Sequence, residues 1–489
     1  MPEIKTQDFT AASSQAILDP KLRRALDRVA EGFHVARLDR IEEVTQETWD
    51  GWKDQAREIK VHTIEHLDYY LDLLDKNVAA AGGQLHFAKD ADEANEIVAH
   101  IVRTRDIKVA TKSKSMVSEE LSLNPVLESL GVEVWETDLG EYIIQLAEET
   151  PSHLVAPALH KSKEDVAALF TDKLGIPYDE DIYNMAATAR TVLRDKFMEA
   201  DLGISGANFV VAETGTLVII SNEGNGRLCT SAPRVHIGIT GMEKIIPSMQ
   251  DLSTFLRLLP RSATGQRITS YVSMTTGPRR SDDEDGPEEF HLILVDNGRS
   301  KMLADPNLRE ALYCIRCGAC LNICPVYSRI GGHAYGWVYP GPIGAVVSPM
   351  LVGLAKAKEL PQASSLCGAC REVCPINIDI PKMLLNLRTK TAESPDSTQR
   401  TAPEMERVLA RLYAKLMSSP RLLKIDVRFG RLAQKIERIT PFFSPLTKDG
   451  KWIRKAHLPI LSRWTRSRDL PTLPKQTFHE IWQKELSDE

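Results

Sequence analysis

The chain has 489 residues, 43% hydrophobic and 26% charged, with a formal net charge of −6, the make-up of an ordinary soluble protein long enough for two or three domains. The opening Met1-Pro-Glu-Ile-Lys-Thr-Gln lacks the apolar core of a signal peptide, and no run approaches the roughly 18–20 apolar residues of a membrane helix. The nearest, 343–355, is broken by Pro349 and two glycines. A cytoplasmic protein is expected, and low aromatic content with no nucleic-acid-binding pattern argues against nucleic acid as a partner.

Residues 1–64 read as a helical arm. Leu22, Leu26 and Val29 lie at helical spacing in Pro20-Lys-Leu-Arg-Arg-Ala-Leu-Asp-Arg-Val-Ala, with charges opposite. A second helical run, from Thr48 to about Ala80, carries Trp52, Ile59, His62, Leu67, Leu71 and Leu74 until Gly82-Gly83 stops it. From Gln84 the rhythm changes to strands alternating with helices: Leu85-His-Phe, a helix over 91–104, Ile107 to Thr111, a helix over 117–130, then Gly131 to Trp135. Such alternation predicts βαβ units on a parallel sheet. The sheet is expected to continue through Phe209 to Ala212 and Thr216 to Ser221, a hairpin around Glu213-Thr-Gly, with further strands at Val235 to Ile239, Ile268 to Ser273 and Phe290 to Val295. Residues 65–300 are therefore one α/β domain with an antiparallel extension.

Two polar loops here are candidates for binding. Lys112-Ser-Lys-Ser115 joins a strand end to a helix start, so its N–H groups and lysines could cradle an anion; the other reading makes Ser115 a helix N-cap. Ser221-Asn-Glu-Gly-Asn-Gly-Arg227 is a flexible loop or a plain surface turn. No G-x-G-x-x-G follows a strand, which leaves a dinucleotide site unsupported. Cys229 stands alone and reads as a buried small residue.

Seven of the eight cysteines fall between Cys314 and Cys374. Cys314, Cys317, Cys320 and Cys324 followed by Pro325 fit the ferredoxin run C-x2-C-x2-C-x3-C-P, and Cys367, Cys370 and Cys374 followed by Pro375 fit it with Ser364 in place of the first cysteine. In two-cluster ferredoxins the fourth cysteine of each run ligates the other cluster. That crossing assigns Cys314, Cys317, Cys320 and Cys374 to one [4Fe-4S] cluster and Cys324, Cys367 and Cys370 to a second. The second is either a [3Fe-4S] cluster or takes a fourth donor from outside the motif, which is a non-cysteine group (Ser364, His333 or solvent) or Cys229 from another domain. Four cysteines packed this tightly suit a cubane better than a zinc tetrahedron built from two separated pairs, and a chain this long needs no disulfide staples. Between the motifs, Tyr335, Trp337 and Tyr339 could shield the clusters from water, and His333 reads as an ordinary loop histidine. The two-cluster domain spans 301–392 and is followed by a Ser/Pro/Thr-rich linker, 393–403.

The extension 404–489 is helical to about Arg438, then irregular, with Phe442-Phe-Ser-Pro-Leu and Gly450-Lys-Trp-Ile-Arg as docking segments for the chain's own body or a partner. From Thr401 onward 18 Lys/Arg face 10 Asp/Glu, a balance of +8 that leaves −14 for the remainder. Such a tail suits an acidic partner, or peripheral contact with anionic lipid at the inner face of the membrane.

With both cysteine motifs, Gly336-Trp-Val-Tyr-Pro-Gly-Pro-Ile-Gly344 and the Glu213-Thr-Gly-Thr-Leu-Val hairpin in view, the chain resembles the lactate utilization protein B family over almost its whole length. The resemblance implies a three-protein system oxidising L-lactate to pyruvate, in which this member carries two [4Fe-4S] clusters on the seven cysteines named above and hands electrons to an unknown acceptor. It also implies a Rossmann-like central fold similar to sugar-phosphate isomerases and CoA transferases, beside an α-helical ferredoxin-like domain. Two other readings compete: an acyl- or CoA-handling enzyme with Glu213 as nucleophile, and a redox-sensing scaffold.

Overall fold

Asp19 accepts hydrogen bonds from the Lys21 and Leu22 N–H groups, and Pro20 fills the first helical position, so the helix Pro20–Glu42 begins there. Thr45 caps Gln46–Glu65 in the same way. The run expected to reach Ala80 unbroken instead kinks at His66, and a separate helix covers Leu67–Ala80. The computed structural model describes residues 4–401, 404–439, 452–453, 465, 467–474 and 476–486. They divide into two units, Met1–Thr401 and Ala402–Glu489.

In the first unit the strands are β1 (Gln84–Ala88), β2 (Val109–Lys112), β3 (Glu133–Glu136), β4 (Leu202–Ser205), β5 (Phe209–Val211), β6 (Thr216–Ser221), β7 (Val235–Gly241), β8 (Ile245–Ile246), β9 (Tyr271–Thr275) and β10 (Glu289–Val295). Six of them make an all-parallel sheet in the order β1-β10-β7-β4-β2-β3. Every residue of β7 is buried, and so is every residue of β10 after Glu289, the pattern of strands covered on both faces. The helix Ala91–Thr104 starts at its Asp90 cap as the periodicity predicts, while the helix expected over 117–130 is split at Ser122, whose φ is 55°.

The β5–β6 hairpin is antiparallel, as expected, but it does not extend the parallel sheet. It forms a second sheet, β8-β5-β6-β9, folded over the first core. β4 was not anticipated, although it lies between β2 and β7. The helices Leu139–Leu146, Lys163–Leu174 and Ile182–Glu199, with their own small core of Tyr142, Phe170, Met185 and Leu193, were likewise unread.

The N-terminal helices are wedged against the cysteine-rich segment. The Arg37 guanidinium donates to the Val373 carbonyl (3.0 Å), and Arg57 donates to the Asn377 carbonyl (2.8 Å) and to Glu310 (3.0 Å). One continuous apolar core joins Trp49, Phe209, Phe255, Tyr335 and Leu387 across helices, second sheet and cysteine segment. In the second unit the helices Glu404–Met417 and Pro420–Ile439 are followed by a two-stranded pairing of Trp452–Ile453 with Leu470–Pro471 and a short helix at Phe478 capped by Thr477. Most of the docking segments expected after Arg438, including Phe442 to Leu446, lie outside the described residues.

Gly203 in β4 is where the sheet meets the helix Asn225–Ser231: a Cβ there would sit 1.7 Å from the Cys229 carbonyl oxygen. Gly203→Ala is therefore expected to destabilise the first unit by about 1–3 kcal/mol through overpacking, seen as a lowered thermal unfolding midpoint; an unchanged midpoint would contradict this packing.

Candidate iron–sulfur site and adjoining cavity

The two cysteine loops have the same backbone. Arg316 and Gly318 in the first, and Leu366 and Gly368 in the second, all adopt left-handed φ values of 60°, 77°, 57° and 88°. Two reversals within three residues curl each loop so that its sulfur atoms turn inward. The correspondence extends to hydrogen bonding. The Arg316 N–H donates to Cys314 Sγ (3.4 Å), and the matching Leu366 N–H donates to Ser364 Oγ (3.1 Å). Ser364 thus presents its oxygen where the first loop presents a sulfur.

The fold separates the cysteines into two electrostatic groups. Burial and the neighbouring Cys374 and Cys314 push the Cys317 thiol up to about 12. Burial, with Cys314, Cys317 and Cys374, holds Cys320 well above its ordinary value, and burial raises Cys374 to about 11, with Cys314 adding to the rise. In the other group, burial followed by Cys324 and Cys367 raises Cys370 to about 12, and Cys324 is raised by burial and by Cys367. Buried thiols that repel one another's ionisation fit a site completed by cations, since a coordinating thiol loses its proton outright. Backbone groups of Ala319, Ile343, Ile376 and Ile378 already favour the ionised forms of Cys317, Cys320 and Cys374. Among the described residues no three His, Cys, Asp or Glu side chains converge as a single metal ion would need; a cubane asks instead for one thiolate at each of four iron atoms. The residues present fit such a group.

Exposure singles out one cysteine: Cys317, Cys320, Cys374, Cys324 and Cys370 are buried and Cys314 half-buried, whereas Cys367 is at the surface. Tyr335 is fully buried and lies near both Cys324 and Cys320, matching the expected shielding. Tyr339 instead donates to Glu120 Oε2 (2.6 Å) and stacks under the Arg316 guanidinium, 4.5 Å from its ring centre. His333 bonds the Thr150 carbonyl (2.7 Å) and packs edge-on to His160, so it is a loop histidine. Cys229 contacts Thr137 Oγ1 (3.4 Å), and burial pushes its thiol up to about 12, away from both groups. Glu213 is exposed and accepts the Met249 N–H (3.0 Å), holding the start of a helix.

A cavity of about 370 Å³ adjoins the first cysteine group. It opens at the carboxyl ends of β2, β4 and β7, and both polar loops flagged from the sequence reach it: Ser113–Ser115 on one wall and Ser221–Glu223 on another. The anion-cradle reading of the first loop needs correction. Ser115 is an N-cap, accepting from Ser118 N (3.2 Å), and Lys112 is committed to Glu119 (2.6 Å) and Glu136 (2.7 Å). Only Lys114 reaches the cavity, its ammonium donating to the Val155 carbonyl (2.7 Å). Glu243, Lys244 and Arg316 line the far wall and were not anticipated as site residues. The available signal was the charged pair Glu243-Lys244 just after the largely apolar strand Val235–Gly241.

Residues 71–295 match the LUD domain, 310–378 the 4Fe-4S dicluster domain, and 387–487 the C-terminal domain of lactate utilisation protein B. The dicluster match makes the cysteine-rich segment an iron–sulfur domain. Proteins named lactate utilization protein B are similar throughout: that of Bacillus licheniformis is 44% identical over 98% of this chain and 97% of its own, that of Macrococcus caseolyticus 43% over 99% and 98%, and that of Bacillus subtilis 43% over 98% and 96%. No helix among the described residues is long and apolar enough to cross a membrane. With such relatives along nearly its whole length, the chain belongs to the lactate utilization protein B family.

Proposed function

We propose that this chain is the iron–sulfur electron-transfer subunit of a complex oxidising L-lactate to pyruvate, with two clusters, one held by Cys314, Cys317, Cys320 and Cys374 and the other by Cys324, Cys367 and Cys370. The observation that carries the reading is the exchange of partners: Cys374 groups electrostatically with the first run and Cys324 with the second. When bound, each cluster supplies one-electron chemistry, so a neighbouring pair can pass on the two electrons of a lactate singly. The protein's part is to keep the first set dry, to direct N–H groups at sulfur, and to bring Cys367 to the surface within reach of an acceptor.

The fourth donor of the second cluster is Ser364, supported by its matching backbone and its matching hydrogen bond. The partners are other lactate utilization proteins in a cytoplasmic complex. Exposed apolar stripes on the C-terminal helices, Met405, Val408 and Leu412 on one and Ile425, Phe429 and Leu432 on the other, support docking through the basic extension, with the inner membrane face as its alternative contact. The central domain is Rossmann-like in layering, as the parallel sheet supports.

Anaerobic purification followed by iron and sulfide counts and EPR tests the clusters. Cys374→Ala is expected to remove the signal shared with Cys317→Ala variants and spare the one lost in Cys370→Ala; loss of the Cys370-dependent signal instead would refute the crossing. In the oxidised wild type no [3Fe-4S] signal is expected, whereas Ser364→Ala produces one and Ser364→Cys restores a cubane. Identical spectra for all three would remove Ser364 from the coordination sphere. Deleting the gene is expected to abolish growth on L-lactate, with rescue by the wild type but not by Cys320→Ala; undiminished growth would refute the pathway assignment.

A further inference from the structure

We infer that the cavity at the ends of β2, β4 and β7 is a binding site for a small organic carboxylate, held by Lys244 and Arg316 beside the first cysteine group. The chain leaves β2 toward β3 in one direction and proceeds from β4 through β7 to β10 in the other. The loops after β2 and β4 therefore part, and a crevice at such a reversal is where open parallel sheets receive ligands. At about 370 Å³ it is in the size range of small-molecule sites.

The charges on its inner wall are unbalanced. Arg299 is claimed by Glu120 (2.9 Å) and Glu243 (2.6 Å), and Tyr339 adds a hydrogen bond to Glu120. That pairing leaves Lys244 and Arg316 to share Glu243, which Arg299 already binds and whose Oε1 lies 3.9 Å from Arg316, with Cys314 as their other negative neighbour. Lys244 is only 6% exposed, and among the described residues its ammonium has neither a hydrogen bond nor an ion pair. The Nη1 group of Arg316 is buried and equally unmatched. A third cation, Lys60, is spent on the Glu243 and Ile245 carbonyls immediately behind. Buried charge without a hydrogen-bonded partner is costly, and a carboxylate entering the cavity would supply one to both cations at once.

The opposite wall is chemically different. Asn208, Ser221 and Asn222 offer neutral donors and acceptors, and Asp138 and Glu223 add negative charge that Lys114 offsets in part. Burial and the neighbouring Asp138 raise the Glu223 carboxyl to about 7. A molecule with a carboxylate at one end and a hydroxyl or carbonyl at the other matches this polarity, which makes 2-hydroxy and 2-oxo acids the favoured class. The inference deepens the electron-transfer reading and rests on it for its purpose. Arg316 touches both places, since its N–H donates to Cys314 while its guanidinium lines the cavity.

The test uses the full chain, purified anaerobically with its clusters and kept oxidised, titrated calorimetrically with L-lactate, pyruvate and, separately, inorganic phosphate. Saturable binding of L-lactate or pyruvate is expected, together with a ligand-dependent shift in the EPR spectrum of the Cys314 cluster after reduction. K244Q should weaken binding at least about tenfold, the scale of a lost charged hydrogen bond, while K244R retains most of it. No saturable carboxylate binding, binding of phosphate alone, or unaltered affinity in K244Q overturns the site. Should K244Q not fold, hydrogen exchange on the wild type decides: carboxylate-dependent protection at 206–208 and 240–244 supports the site, and protection only elsewhere overturns it. Iron and sulfide counts separate the two readings. Intact clusters without carboxylate binding sink the cavity alone, and carboxylate binding by a chain that cannot hold clusters sinks the relay alone.

Discussion

Arg299 is 1% exposed and lies between two carboxylates from distant parts of the chain, Glu120 behind β2 and Glu243 behind β7. A guanidinium so deeply buried is tolerable only with its donors matched, and removing one partner of such a group costs about 3–5 kcal/mol. Burial alone would raise the Glu243 carboxyl, yet Arg299, Lys244 and Arg316 together hold it down at about 2. Glu120 also accepts from Tyr339, which belongs to the segment between the cysteine motifs. One buried ion network therefore fixes two strand ends and the iron–sulfur domain relative to each other. The cavity and the first cysteine group share a wall because this network leaves them no freedom to part.

From that wall the environment changes steadily outward. Cys317, Cys320 and Cys374 sit in the apolar core with Arg37 among the charges nearest Cys317, while Cys367 is exposed. Burial, nearby charge and hydrogen bonds to sulfur are the protein's means of setting a cluster's potential, so two clusters held here would not be equivalent. The asymmetry has a direction: buried sulfurs beside the cavity at one end, and the exposed Cys367 at the other.

The cysteine pattern was readable because its spacing is local and its chemistry narrow; the helix over 91–104 and the β5–β6 hairpin were readable for the same reason, a cap and a turn close in sequence. What failed to show was long-range. β4 is Leu-Gly-Ile-Ser, four residues with one β-branched side chain, and it becomes a central strand only because β2 and β7 flank it. The hairpin's apolar faces suit either sheet, and nothing local says that it pairs with β8 and β9. The cavity draws its walls from many separated stretches between Phe33 and Tyr339, so each loop alone read as an ordinary turn. Glu213, a candidate nucleophile only in the alternative enzyme reading, is solvent-facing and steadies a helix start.

The second cysteine loop sharpens what the clusters ask of the chain. A non-glycine residue with positive φ is disfavoured by about 1–2 kcal/mol, and such strain persists only where the surroundings impose it. Leu366 keeps that conformation although its loop lacks the first cysteine, as Arg316 keeps it in the loop that has one. Its backbone has the same curl and turns Leu366 N–H onto the Ser364 hydroxyl oxygen in the geometry used for Cys314 sulfur. The difference between the two loops at this position is thus confined to one atom, oxygen for sulfur, in the loop that carries the exposed Cys367. A hydroxyl is a harder, less readily ionised donor than a thiol, so a cluster that took it at one corner would not be equivalent to one held by four thiolates.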